Sequence, residues 1–252
     1  HQIPVWRVNS QDEFVRRGKA VVPQLIEALK SGKLTTGQET WSVWAIGRIA
    51  PEDRTADTLF ISLLEGQSAN LRLQSLRILS QRKATQSAAS VARQLQDKDA
   101  RFRFETALSL WHMGAKDQAG AILQAGATEK DRNAVYAMFR AVQELMTPET
   151  VKPLLKDERG GVRRIALLAL LESRTLTPDD VLAMLSDKDK ETQMIATLWL
   201  TKLGKDLSAD KLIPLLSDAD ANTRNAALQC LSRTKLSPAA FKTLQELHGK
   251  AK

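Results

Sequence analysis

The side chains best suited to chemistry in this 252-residue chain are few and scattered. His1 is terminal, His248 falls in the last turn, and His112 follows Trp111 near the end of a helical pattern. None has a second His or a Cys at metal-ligand spacing, so neither a zinc site nor a His-activated nucleophile is expected. Cys230 stands alone, which rules out an internal disulfide, and its place in an apolar stripe reads as a buried, inert thiol. The acidic pairs Glu52-Asp53, Asp157-Glu158 and Asp179-Asp180 are adjacent in sequence. Acid/base cleavage of a glycoside needs two carboxylates facing across a cleft, so these pairs read as helix caps. Gly160-Gly161 reads as a turn between repeats, not a phosphate loop. The expectation is no catalytic residue, no metal and no cofactor.

Binding chemistry has more candidates. Arg101-Phe102-Arg103-Phe104 alternates cations with aromatic rings, as single-stranded nucleic-acid sites do. Helical periodicity offers a simpler account, with Phe102 in an apolar slot and Arg103 in a recurring structural position. Trp41 and Trp44 share one helical face, which reads as packing before ligand stacking. Arg93, Lys152, Lys156 and Lys211 recur on helices that otherwise read Val-x-x-Leu-Leu. They are the candidate partner-binding residues, a basic stripe for an acidic partner, against the plainer reading of a solvated polar face.

These residues are carried by a repeat. Leu154-Leu155 … Val162-Arg163 … Ala166 … Leu170 returns as Met184-Leu185 … Thr192-Gln193 … Ala196 … Leu200, then as Leu215-Leu216 … Thr223-Arg224 … Ala227 … Leu231. The period is about 30 residues, which means stacked helix pairs and not one closed globule. In the first helix of each pair an apolar residue is followed at plus four by a small one and at plus eight by another apolar one. The small residue permits close helix approach. Earlier matches are Trp6-Arg7-Ser10-Phe14, Trp41-Ala45-Ile49, Leu71-Arg72-Ser75-Leu79 and Phe102-Arg103-Thr106-Leu110, with a weaker one at Asn133-Ala137-Ala141. An insertion from Ser31 to Gly37 lengthens the first interval.

A second signal has the same period in a different phase. Ser87, Asp117, Thr147, Thr177, Ser208 and Ser237 are good N-cap types for the second helix of each pair. Pro follows Thr147, Thr177 and Ser237, where its missing N–H is harmless. The turns between repeats carry Asp97 and Asp99, Asp157, Asp187 and Asp189, Asp218 and Asp220. Their spacing lets a carboxylate cap the following helix while Arg103, Arg163 or Arg224 of one repeat reaches the Asp of a neighbour.

The Leu-Leu-x-Asp … Val-Arg-x-x-Ala … Leu pattern resembles HEAT repeats of the short kind, over nearly the whole chain. The resemblance implies an all-α fold, a right-handed α-solenoid of about eight helix pairs spanning residues 1–252, with the second helices on the concave side. A narrower likeness rests on Asn9-Ser10-Gln11-Asp12-Glu13, Val15-Arg16-Arg17-Gly18, Ser31-Gly32-Lys33-Leu34 and Gln38-Glu39-Thr40-Trp41, continuing through Trp44-Ala45-Ile46-Gly47-Arg48. It is similar to the HEAT segment of large extracytoplasmic bacterial proteins that also hold a dehydrogenase-like β-propeller and a cytochrome-c-like haem domain. It implies a periplasmic spacer, although no haem-attachment motif is present in this sequence.

Composition agrees with a binding array. The net charge of +8 suits an acidic partner, but 29 acidic side chains are dispersed among 37 basic ones. No apolar run approaches the roughly 20 residues that span a bilayer, so no membrane insertion is expected. The chain opens on His1 with no Met, and reads as a processed chain or a piece of a longer one. The expected function is a non-catalytic scaffold or spacer that binds a protein partner or neighbouring domains of its own polypeptide. The alternatives are a nucleic-acid-binding array of the DNA-repair glycosylase type and a lyase-type partner of bilin proteins.

Overall fold

The computed structural model describes residues 4–49, 51, 54–203 and 207–250. Its regular elements are all helical, with no strand among the described residues, and it divides into two compact units, His1–Thr147 and Pro148–Lys252. The first unit holds α1 (Pro4–Arg17), α2 (Val22–Lys30), α3 (Thr36–Ile49), α4 (Thr55–Leu64), α5 (Ala69–Gln81), α6 (Ala88–Ala92), α7 (Ala100–Met113), α8 (Ala119–Gly126) and α9 (Arg132–Leu145). The second holds α10 (Pro148–Val151), α11 (Gly160–Glu172), α12 (Pro178–Met184), α13 (Lys190–Leu203), α14 (Ala209–Leu212), α15 (Ala221–Leu231) and α16 (Pro238–Lys250). Odd-numbered helices carry the apolar-small-apolar template, while Leu154-Leu155 and Leu215-Leu216 lie in the 3-10 turns that continue α10 and α14. The fold is an all-α solenoid.

The template positions are buried for a steric reason. Leu71, Phe102 and Val162 fill the slot, and Ser75, Thr106 and Ala166 lie where neighbouring odd helices approach. Trp6 is the exception: it occupies the slot on α1 yet is exposed, since α1 packs on α3 along one side only among the described residues. The template on α9 also needs correction by one residue. Asp131 caps this helix, and the slot three residues on is Ala134, fully buried, whereas Asn133 is exposed.

The predicted ladder of Asp and Arg residues forms in part, with a division of labour: Arg163 reaches the Asp of the next repeat, whereas Arg224 reaches only carbonyls of its own turn and Asp157 pairs with Arg159 beside it. Asp99, Asp189 and Asp220 cap the following helix through N–H groups of its first turn. The Asp two residues earlier receives the cap residue's N–H, and Asp97 and Asp187 also pair with an Arg of the preceding repeat. Arg163 thus donates to both oxygens of Asp187 at 2.7 and 2.6 Å, and to the carbonyls of Asp157 and Glu158 at 2.7 and 3.0 Å. Arg72 pairs with Asp97, and Arg224 holds the carbonyls of Asp218 and Ala219. Arg103 uses Glu129, a member the sequence pattern did not single out. Gly160 and Gly161 form the first turn of α11, not a loop, and a Cβ at Gly160 would stand 2.7 Å from that of Asp189. Glycine there lets the two repeats close up.

The ladder makes a pH prediction. Burial alone would raise the Asp187 carboxyl, but the Arg163 guanidinium and the Asp189 N–H outweigh it and hold it below its ordinary 3.8. Glu129, opposed by burial in the same way, is held below 4.5 by Arg103 and the Asp131 N–H. A carboxyl depressed on folding contributes stability that is fully present above its unfolded value and lost as pH falls through its folded value. The helical melting midpoint should therefore be lower at pH 3 than at pH 7. An equal midpoint at the two pH values would contradict the ladder's energetic role.

Only part of the predicted capping is realised. Thr177 forms a capping box with Asp180, and Ser237 accepts from the Ala240 N–H. Ser87 and Ser208 make no such bond, and Asp117 lies in a short 3-10 turn before α8.

Candidate functional site

The four basic residues proposed from sequence all lie on or beside even-numbered helices. Lys152 and Lys156 belong to the 3-10 turn that continues α10, and Lys211 lies on α14. Arg93 opens the 3-10 turn after α6, in the other unit. Their charges are largely answered within the molecule. Lys152 donates to Asp180 at 2.9 Å, Lys211 to both oxygens of Asp179 at 2.6 and 2.7 Å, and Arg93 to Glu65 at 3.2 Å. Lys156 is exposed with no acidic partner among the described residues, on the rim of a shallow groove shared with Lys152, Ala183 and Met184. The adjacent acids of α12 therefore tie it to the even helices on both sides.

The other chemical candidates are also occupied structurally. Arg72 stacks on the Phe102 ring at 4.2 Å, and Arg103 belongs to the ladder, so these two members of the Arg-Phe alternation serve packing, while Arg101 is exposed and Phe104 half-buried. Trp44 is half-buried and donates its indole N–H to Gln74 at 3.0 Å, whereas half-buried Trp41 faces a cavity. His112 is exposed and lies against the Trp111 ring. Asp157 is held at about 2, chiefly by the Arg159 side chain and N–H. The Cys230 thiol is buried, donates to the Leu200 carbonyl, and is pushed up by burial. No group of three His, Cys, Asp or Glu residues among those described could hold a metal ion. Nor is any described helix long and apolar enough to cross a membrane. Glu52, Asp53, His1 and the His248 side chain lie outside the described residues.

Two features escaped the sequence reading. The first is a buried polar cluster in the first unit. Asp57 and Arg82, each with only 3% of its side chain exposed, pair at 2.9 Å. Arg82 also donates to the Gly47 carbonyl, Gln86 donates to the free oxygen of Asp57, and Arg54 reaches the Arg82 carbonyl. The second is an exposed apolar surface on the odd helices of the second unit. Met194 and Leu198 of α13 are 58% and 61% exposed, and Leu228 of α15 is 54% exposed. Met194 and Leu198 form one wall of an open groove of about 740 Å³, and Asn225 and Gln229 of α15 form the other. Thr197 and Ala226 line it as well. A spacing of four places Met194 and Leu198 on one face of α13, opposite its buried side. That spacing was visible in the sequence, but neither residue belongs to the repeat template, so neither was given a role.

Residues 178–251 match the family model described as HEAT repeats. The complex of CpcE and CpcF of phycocyanin lyase from Nostoc sp. PCC7120 is similar at 17% identity and a TM-score of 0.45, over 89% of this chain and 92% of that one. YibA of E. coli is similar at 18% identity and a TM-score of 0.45, over 96% of each chain. No curated protein matches the sequence at a significant level.

Proposed function

We propose that this chain is a non-catalytic, protein-binding scaffold that receives its partner on the outer face of α13 and α15. The observation that carries the reading is the exposure of Met194 and Leu198, each more than half open to solvent on the wall of one groove, with Leu228 of α15 also more than half exposed. Single exposed apolar residues are ordinary, but a cluster rimmed by polar groups marks an interaction surface. The carboxamides of Asn225 and Gln229 both donate and accept, which suits the uncovered backbone of a partner. Lys156 contributes an anion contact on the even-helix side, ahead of Lys152, Lys211 and Arg93, whose charges already serve internal carboxylates. The non-catalytic part of the reading is supported by the internal bonds of Asp157, Asp179, Asp180 and Cys230. The residue pattern of 9–18 and 31–48 extends the proposal to a spacer within a larger extracytoplasmic bacterial protein. The sequence flanking residues 1 and 252 in the parent gene tests that extension.

Leu198→Asp should reduce recovery of a co-purifying partner from the source cell at least tenfold. Because Leu198 is mostly exposed, stability should change by no more than about 0.5 kcal/mol. Unchanged recovery would remove the proposed face. Duplex DNA titrated across salt separates the nucleic-acid alternative, which requires tight binding at low salt that falls steeply as salt rises. The commitment of Arg72, Arg103 and Arg163 to internal carboxylates favours no such binding.

A further inference from the structure

We propose that the uncovered stacking side of α15 docks a helix of a partner protein that enters through an acidic turn and packs on α15 as one odd helix packs on the next. Within each unit the odd helices meet in a fixed register. Five residues after the slot, Ile46, Leu76, Ala107, Leu167 and Thr197 are all buried. The Thr197 hydroxyl lies 3.3 Å from that of Thr223, the slot residue of the next odd helix. This position therefore faces the helix that follows. On α15 it is Leu228, which is 54% exposed.

The residue after the slot is left incomplete on the same helix. Arg103 and Arg163 each place Nη1 on two carbonyls of their own turn and direct Nε and Nη2 to a carboxylate of the next repeat, Glu129 or Asp187. Arg224 places Nη1 on the carbonyls of Asp218 and Ala219 at 2.8 and 2.9 Å in the same way. Its Nε and Nη2 have no partner among the described residues. A guanidinium edge held like this is a two-point donor for a carboxylate.

Charge selects the occupant. α15 itself carries no acid, so a second copy laid edge to edge offers Arg224 no carboxylate on the facing helix. The α5 edge shows what fits. Ala69-Asn70-Leu71-Arg72 with Leu76 and Leu79 parallels Ala221-Asn222-Thr223-Arg224 with Leu228 and Leu231. α5 packs against α7, and Arg72 pairs with Asp97 of the acidic turn that leads into α7.

The probe is a synthetic peptide of residues 96–113, the α7 segment with its acidic turn. A lactam joining Glu105 to position 101 after Arg101→Lys holds it helical, since short helices are marginal in water. Titrated into the full chain by calorimetry, it should bind saturably and 1:1. Leu228→Asp alters an exposed side chain and should weaken binding at least tenfold, as should Asp97→Arg in the peptide. Arg224→Asp in the chain should weaken the unaltered peptide and restore most of the affinity for the Asp97→Arg peptide, the sign of a direct pair. The inference is overturned by no saturable binding at millimolar peptide, by binding that survives Leu228→Asp, or by a charge exchange that restores nothing. Sedimentation showing the free chain as a dimer that Leu228→Asp dissolves would also overturn it, in favour of a second copy. Leu198→Asp should leave peptide binding intact, so failure here is distinct from failure of the groove on α13.

Discussion

Asp57→Ala is expected to destabilise the first unit by about 3–5 kcal/mol, the range for removing one partner of a buried ion pair. The reason is what remains behind. Arg82 has 3% of its side chain exposed and loses the Asp57 carboxylate, and the Gln86 amide loses the same acceptor. A guanidinium held from water that loses this carboxylate bears a desolvation cost the pair had offset. The same physics says that the pair itself contributes little. Replacing both members by apolar residues of matching size, Asp57→Leu with Arg82→Met, should restore most of the loss. Urea unfolding followed by helical circular dichroism measures both variants. A single-variant cost under about 1 kcal/mol would contradict the assignment of a dry, paired cluster.

Leu170→Ala is the second large effect, at about 2–5 kcal/mol. Leu170 is 2% exposed at the plus-eight position of α11, where the template predicts a side chain shared between stacked helices. Its carbonyl also accepts the Thr175 N–H that closes the end of the helix, with Arg174 in the left-handed region at φ 56°. The substitution removes the side chain's burial and leaves a cavity that its neighbours fill only in part. Both terms weaken the stack, and the same urea experiment reads the cost.

The repeat was legible because each helix pair reuses one arithmetic: cap, slot three residues on, small residue four later, apolar residue four later again. Where that arithmetic was perturbed the reading slipped. At α9 Glu129 replaces the usual Asp two residues before the cap, and the template was placed one residue early, on exposed Asn133. The Asp57–Arg82 pair was hidden because its members lie 25 residues apart and neither belongs to the template. For the candidate site, the sequence located the basic residues of the even helices but could not show that Asp179, Asp180 and Glu65 lie within bonding distance of three of them. It named Met194 in no role and left Leu198 unassigned, because apolar type alone does not say which side of a helix is covered.

If the chain is a stack in which each helix pair is stabilised mainly by its immediate neighbours, a local injury should stay local. Hydrogen exchange read by mass spectrometry on the full chain carrying Leu170→Ala tests this most directly. The account predicts faster exchange in α11, α12 and α13, with protection in α3, α5 and α7 unchanged. Equal loss of protection from α1 to α16 would contradict it, as would no loss in α11.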